Sequence, residues 1–387
     1  MAPNCHVTIG GPMDLTLTED QIFIRDEARR LLASKADGDA LRRIVSRGDG
    51  IDPDLWATIS TELGWCAMTI PEKHGGVGLG LTELVLLMEA VGERLAPVPL
   101  WSTACLGVPL LTAIGTQAAQ VWLERIAVGD AAATVAIADM NSVNPFQGGG
   151  VTATRQGGGY ILQGQLPLVT DAQVAGLILV PARIGQDVAV FGLEPSTGSD
   201  FRRLKTLDHT RQYCAHSLND LSVPESTRLD RNGVNADALA EAETIANLGL
   251  AAEQAGLARG AMDLTLEYIS ERVQFGRTIA SFQAIKHRCA ALEVDLAELR
   301  ALILGAAVQP DPRERMLEVA GARALASDLA FRASEEAIQL HGGVGFTTEY
   351  APHLYFKRAQ ANWHLLGSPE RHLDRIAAHC LPDGDAA

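Results

Sequence analysis

Positive charge is scarce in this chain of 387 residues: 32 Lys and Arg stand against 47 Asp and Glu, a formal net charge of −15. Summed negative charge repels phosphate polyanions and anionic lipid before contact forms, which excludes nucleic-acid and membrane-surface partners. Long apolar runs are also lacking. The richest, Leu84 to Met88, is interrupted at Glu89 and again at Glu93, so no segment reads as a bilayer span, and the first residues lack the basic-then-apolar order of a secretory signal. Six cysteines (Cys5, Cys66, Cys105, Cys214, Cys289, Cys380) stand far apart with no C-x-x-C. That spacing indicates neither a zinc site nor a disulfide framework, so no metal is expected, and it points to a reducing, cytoplasmic setting. What remains is ordinary globular composition, 47% hydrophobic and 20% charged, with length for two or three domains.

After a loose lead-in ending at Gly10-Gly11-Pro12, Thr18-Glu19-Asp20-Gln21 reads as a capping box. Ile24, Ala28, Leu31 and Leu32 repeat at helical spacing behind it. Further helix-period segments cover Asp54 to Leu63, Leu81 to Ala96, Trp101 to Ile114 and Gln117 to Ile126. Gly75-Gly76-Val77-Gly78-Leu79-Gly80 lies among them, but it follows no strand and lacks the order of a phosphate loop, so it reads as a structural loop. From Ala132 the pattern changes to short β-branched runs. Val151 to Thr154 and Tyr160 to Leu162 flank Gly157-Gly158-Gly159, a hairpin signal, and Leu177 to Val180, Val188 to Phe191 and His216 to Leu218 continue what reads as an antiparallel sheet. Helical period returns after Asn235, over Asp237 to Arg272, Phe282 to Ala307 and Arg313 to Leu340, with short connections that imply an antiparallel bundle. The expected domains are an N-terminal helical domain over 13–131, a β-domain over 132–234 and a helical bundle over 235–387.

Three clusters in the last third carry chemistry. In Arg272-Val273-Gln274-Phe275-Gly276-Arg277, followed by Ser281-Phe282-Gln283, a cation at a helix end meets free backbone N–H groups, which suits a diphosphate and equally a simple helix stop. In Gln339-Leu340-His341-Gly342-Gly343-Val344-Gly345-Phe346, paired glycines permit close approach to a ligand and Gln339 offers both donor and acceptor; an ordinary turn competes. The third is Leu366-Gly367-Ser368-Pro369-Glu370, a loop before the closing helix.

In this order and at these spacings the clusters resemble the acyl-CoA dehydrogenase family. The resemblance runs from Met13-Asp14-Leu15 through Leu63-Gly64-Trp65 and Pro71-Glu72-Lys73-His74-Gly75-Gly76 to the last helix. It implies a mainly α chain with an N-terminal helical domain, a central antiparallel β-domain and a C-terminal four-helix bundle, assembled as a homo- or hetero-tetramer or a dimer with FAD between subunits. It further implies an electron-transfer flavoprotein as electron acceptor. By position, Arg272 and Phe275 match the R-x-x-F-G residues at the FAD diphosphate, Gln283 a flavin-contacting Gln, and Gln339, Gly342 and Gly343 a segment that reaches the FAD of a neighbouring subunit. Thr170 matches the β-domain Thr that holds the flavin ring, and Ser368 lies in the closing loop on the cofactor side. Leu168 replaces the usual Trp over the flavin, and Ala138-Asp139-Met140 stands where the family carries T-E-P-G-x-G-S-D.

Dehydrogenation of an acyl-CoA needs a carboxylate to take the α-proton while the β-hydrogen leaves as hydride to the flavin. The resemblance implies a Glu directly before the Gly of the third cluster, where this chain has Leu366, or on the long helix at Ala246, beside Asn247. Neither position is acidic. Glu243 and Glu253 share the helical face of Ala246 and are the candidate replacements. Leu366, whose N–H remains able to bind a thioester oxygen, and Gly367 are the substrate-site residues. The pattern resembles the base-lacking chains of heteromeric bacterial, steroid-side-chain-type acyl-CoA dehydrogenases. The readings open at this point are a dehydrogenase working through a displaced base, a non-catalytic FAD- and acyl-CoA-binding subunit of a heteromeric complex acting in fatty acid or steroid catabolism, a flavin monooxygenase on the same fold, and a helical scaffold without flavin.

Overall fold

The computed structural model describes residues 15–48, 50–137, 139, 143–146, 149–195, 201–231 and 233–381. Cys5, Met13, Asp14, Ala138 and Met140 lie outside them. Helix α1 (Glu19–Lys35) starts at the expected capping box: Thr18 accepts from the Gln21 N–H and Gln21 reaches back to the Thr18 N–H. Helix α2 (Gly38–Arg47) has no counterpart in the sequence reading, although Asp37 caps its start by accepting from Ala40 N–H at 2.7 Å and Gly48 ends it in the left-handed region. Helices α3 (Pro53–Ala57), α4 (Leu81–Glu93), α5 (Val108–Ile114) and α6 (Gln117–Ala127) follow, with wide π-helical turns at Thr58–Glu62 and Trp101–Gly107. The glycine run before α4 is a loop, as expected, and a Cβ on Gly76 would overlap the Ile70 carbonyl oxygen.

Strands β1 (Ala133–Ile137), β2 (Val151–Gln156), β3 (Gly159–Thr170), β4 (Leu177–Ile184), β5 (Asp187–Leu193), β6 (Arg202–Arg203) and β7 (Tyr213–Pro224) form one sheet. The glycine hairpin joins β2 to β3 in antiparallel register, with Arg155 opposite Tyr160. The purely antiparallel expectation is corrected here: β1 and β2 both pair with β4 in parallel. Because β1 also pairs with β3, the sheet curls toward closure, a non-local geometry that strand periodicity cannot register.

Helix α7 (Ala236–Glu271) is the axis of the third region. A small hairpin, β8 (Val273–Gln274) and β9 (Arg277–Thr278), leads to α8 (Gln283–Val308), α9 (Pro312–His341), α10 (Pro352–His364) and α11 (Pro369–Cys380). The fold is therefore mainly helical, with a β-domain between two helical regions. No helix among the described residues is long and apolar enough to cross a membrane.

One core cluster runs through all three regions, joining Leu84 and Leu87 of α4, Leu177 and Leu179 of β4, and Leu248 and Leu250 of α7. The α4–α7 crossing is close because it is lined with glycine: a Cβ on Gly92 would overlap the Glu253 carbonyl oxygen, and one on Gly256 the Glu89 carbonyl oxygen. We expect Gly256→Ala to lower stability by about 3 kcal/mol through overpacking, whereas Gly158→Ala, which meets nothing within 4 Å, changes it by less than about 0.5 kcal/mol. Urea denaturation of the two variants makes the comparison, and equal midpoints would refute the close-packing argument.

Candidate active site in two halves

The residues of the three sequence clusters separate into an outward and an inward group. Arg272 ends α7 as its C-cap, is exposed, and forms no ion pair among the described residues. The β8–β9 turn then throws Phe275 outward at 91% exposure with φ of 54°. Gln283, the first residue of α8, lies exposed beside His287 at 3.2 Å. Gln339 is exposed near the end of α9, where Gly342 turns the chain at φ of 64°. A Cβ on Gly276, Gly342 or Gly343 would meet nothing within 4 Å. This half presents a free guanidinium, an amide and bare backbone to the exterior, a donor set that fits a phosphate-bearing ligand held from one side. Of the cations near it, Arg277 stacks over Phe282 at 3.9 Å, and Arg288 is already paired with Glu336.

The inward group is buried within the chain. Thr170 has 0% exposure and shares a 3.3 Å hydrogen bond with the Thr134 hydroxyl. Leu168 is packed in the main core. Asp171, directly after Thr170, takes a left-handed φ of 57° and accepts from the Ser102 hydroxyl at 2.7 Å. Burial raises its carboxyl pKa, and the charge of Arg211 and the Ser102 hydrogen bond counter only part of that. Ala246 is fully buried, its carbonyl accepting from the Trp101 indole at 3.2 Å.

Leu366 is 2% exposed and holds φ of 57°, followed by Gly367 at 93°. Two left-handed residues in succession, one of them a leucine, are strained and need local support. Arg323, fully buried on α9, donates to Leu365 O at 2.9 Å, and His372 on α11 lies 3.0 Å from Leu366 O through Nε2. Burial, then the charge of Arg323, pushes the His372 pKa down to about 3. The ring is therefore neutral at pH 7 and donates from Nε2–H to that carbonyl. Val143 packs on Gly367 so closely that a Cβ there would clash, and its carbonyl accepts from the Asn247 amide at 3.3 Å. Ser368 is the N-cap of α11, beside this turn. Thr170, Leu168, Ala246 and Leu366 are thus all buried within the chain.

The two candidate bases separate cleanly. Glu253 is 0% exposed and sits between two arginines: Arg211 from the segment before β7, and Arg358 of α10 at 2.8 Å. Asn362 adds a hydrogen bond at 3.1 Å. Burial alone would raise the Glu253 pKa, but Arg211 and Arg358 outweigh it and hold the carboxyl at about 2. A permanently ionised carboxylate committed to two guanidinium groups is a poor proton acceptor, so the sequence-based candidacy of Glu253 as base is corrected: it is a structural counter-ion. Glu243 lies nearer the Leu366 turn, through Asn247, whose amide donates to Glu243 O at 3.0 Å and to Val143 O. Burial pushes the Glu243 carboxyl pKa up, and an ion pair with Arg375 of α11 pulls it back only in part.

Sequence reasoning missed Arg211, Arg358, Arg323 and His372. Nothing in the spacing of Arg211 and Arg358, 147 positions apart in the chain, shows that the two meet on one carboxylate.

Family models for the acyl-CoA dehydrogenase N-terminal domain and C-terminal domain match residues 18–130 and 243–381. The chain belongs to the acyl-CoA dehydrogenase family. Among curated relatives, acyl-CoA dehydrogenase IpdE2 of Mycobacterium tuberculosis is 33% identical over 94% of this chain and 98% of its own length. Acyl-CoA dehydrogenase FadE27 of the same organism is 28% identical over 94% and 98%. Among solved structures, a chain of the ChsE4-ChsE5 complex from Mycobacterium tuberculosis superposes with a TM-score of 0.84 at 28% identity, over 96% of this chain and 100% of that one. A steroid ACAD variant gives 0.81 at 27% identity, over 94% and 98%.

Removing the charge of Glu253 leaves Arg211 without its carboxylate partner in the interior and Arg358 with Asp208 alone, so we expect Glu253→Gln to cost about 3 kcal/mol at pH 7. With a folded-state pKa of about 2 against the ordinary 4.5, the stabilisation is complete above 4.5 and is lost as pH falls toward 2. Urea denaturation of parent and variant between pH 7 and 3 should show the gap narrowing with acid; a gap that widens with acid would contradict the assignment.

Proposed function

We propose that the chain acts in FAD-dependent α,β-dehydrogenation of an acyl-CoA thioester as the base-lacking member of a pair of unlike homologous chains. The observation that carries this reading is the division of the site: Arg272, Gln339 and the Gly342-Gly343 backbone are exposed, while Thr170, Leu168, Leu366 and Ala246 are buried within the chain. In the complex, Arg272, Gln339 and the Gly342-Gly343 backbone would bind the diphosphate of an FAD whose ring rests on the partner chain. The FAD supplies the hydride acceptor when bound. The partner supplies the carboxylate for the α-proton, since this chain offers only Glu243, held by Arg375, near the usual position. Phe275, standing free at 91% exposure, would be buried by the partner on assembly, where its loss from water is favourable.

Several findings support the paired arrangement. One structural neighbour is named as a complex of two differently designated chains, ChsE4 and ChsE5, and another as a steroid ACAD; a ring-bearing acyl group in steroid or fatty acid catabolism follows by analogy. Electrons would leave to an electron-transfer flavoprotein, as the family resemblance implies. Burial of Thr170 and Leu366 argues equally against a dehydrogenase or a monooxygenase built from this chain by itself.

Anaerobic titration with acyl-CoA tests the reading. The purified chain should be colourless and unreactive alone, and the co-purified pair should be yellow and bleached by acyl-CoA. Bleaching of a yellow preparation of this chain alone would overturn the proposal.

A further inference from the structure

We draw no further inference here: the strongest candidate, the largely apolar groove between α1, α4, α7 and α8 that Leu17, Leu86, Ala255 and Leu304 line together with Arg25 and Arg300, carries nothing because nothing among the described residues shows what covers it.

Discussion

The structure depends on one buried electrostatic knot. Glu253 of α7, Arg358 of α10, and Asp208 and Arg211 from the segment before β7 form two positive and two negative charges with almost no water access. Arg358 donates to Asp208 at 2.8 Å and to the Thr210 hydroxyl at 2.6 Å, Arg211 reaches Asn362 at 3.2 Å and lies over the Trp101 ring at 5.2 Å, and Tyr213 bonds Asp208 at 3.2 Å. Removing these charges from water is costly, and their mutual contacts offset that cost only while every partner is present. The knot therefore joins the N-terminal helices, the β-domain and the bundle in one register. Burial works against the charge on Arg358, but Asp208 and Glu253 outweigh it and raise the Arg358 pKa.

Closure of the inward half follows from that register. With Trp101 fixed over Arg211, its indole reaches the Ala246 carbonyl, and Ser102 meets Asp171 next to Thr170. On the bundle side, Asn362 lies in the last turn of α10, three residues before Leu365, so the helix that delivers Arg358 also delivers the Leu366 turn, where Arg323 and His372 hold it. Apolar Leu366 belongs to the main core. A carboxylate at that position would be desolvated beside a neutral histidine. Arg272, Gly342 and Gly343 of the outward half have no such ties among the described residues and lie exposed.

Much of the architecture was legible in the sequence because it is written in local terms. The Thr18 capping box, the Gly157-Gly158 hairpin and the three long helices of the bundle depend on neighbours a few residues away. Helix α2 carried its signals, the caps Asp37 and Gly48 and an apolar face of Ala40, Leu41 and Ile44, but it is only ten residues long and has no counterpart in the sequence reading. The parallel pairings of β4 were hidden because they join segments with no turn between them. Within the site, motif spacing named Arg272, Gln339, Gly342 and Gly343, which lie exposed, while the setting of Glu253 was hidden: its place on the face of Ala246 was read from helical spacing, and its pairing comes from Arg211 and Arg358, 42 and 105 residues away. Burial of Thr170 likewise depends on Thr134 and Ser102, which no motif links to it.

The central claim is that this acyl-CoA dehydrogenase homologue serves a shared flavin through its outward half alone. Flavin content of the assembled complex, read as the ratio of flavin to protein absorbance, tests it most directly in two variants of this chain. Arg272→Met should strip most of the flavin and Thr170→Val should leave it unchanged. Loss of flavin in Thr170→Val with full retention in Arg272→Met would contradict the account.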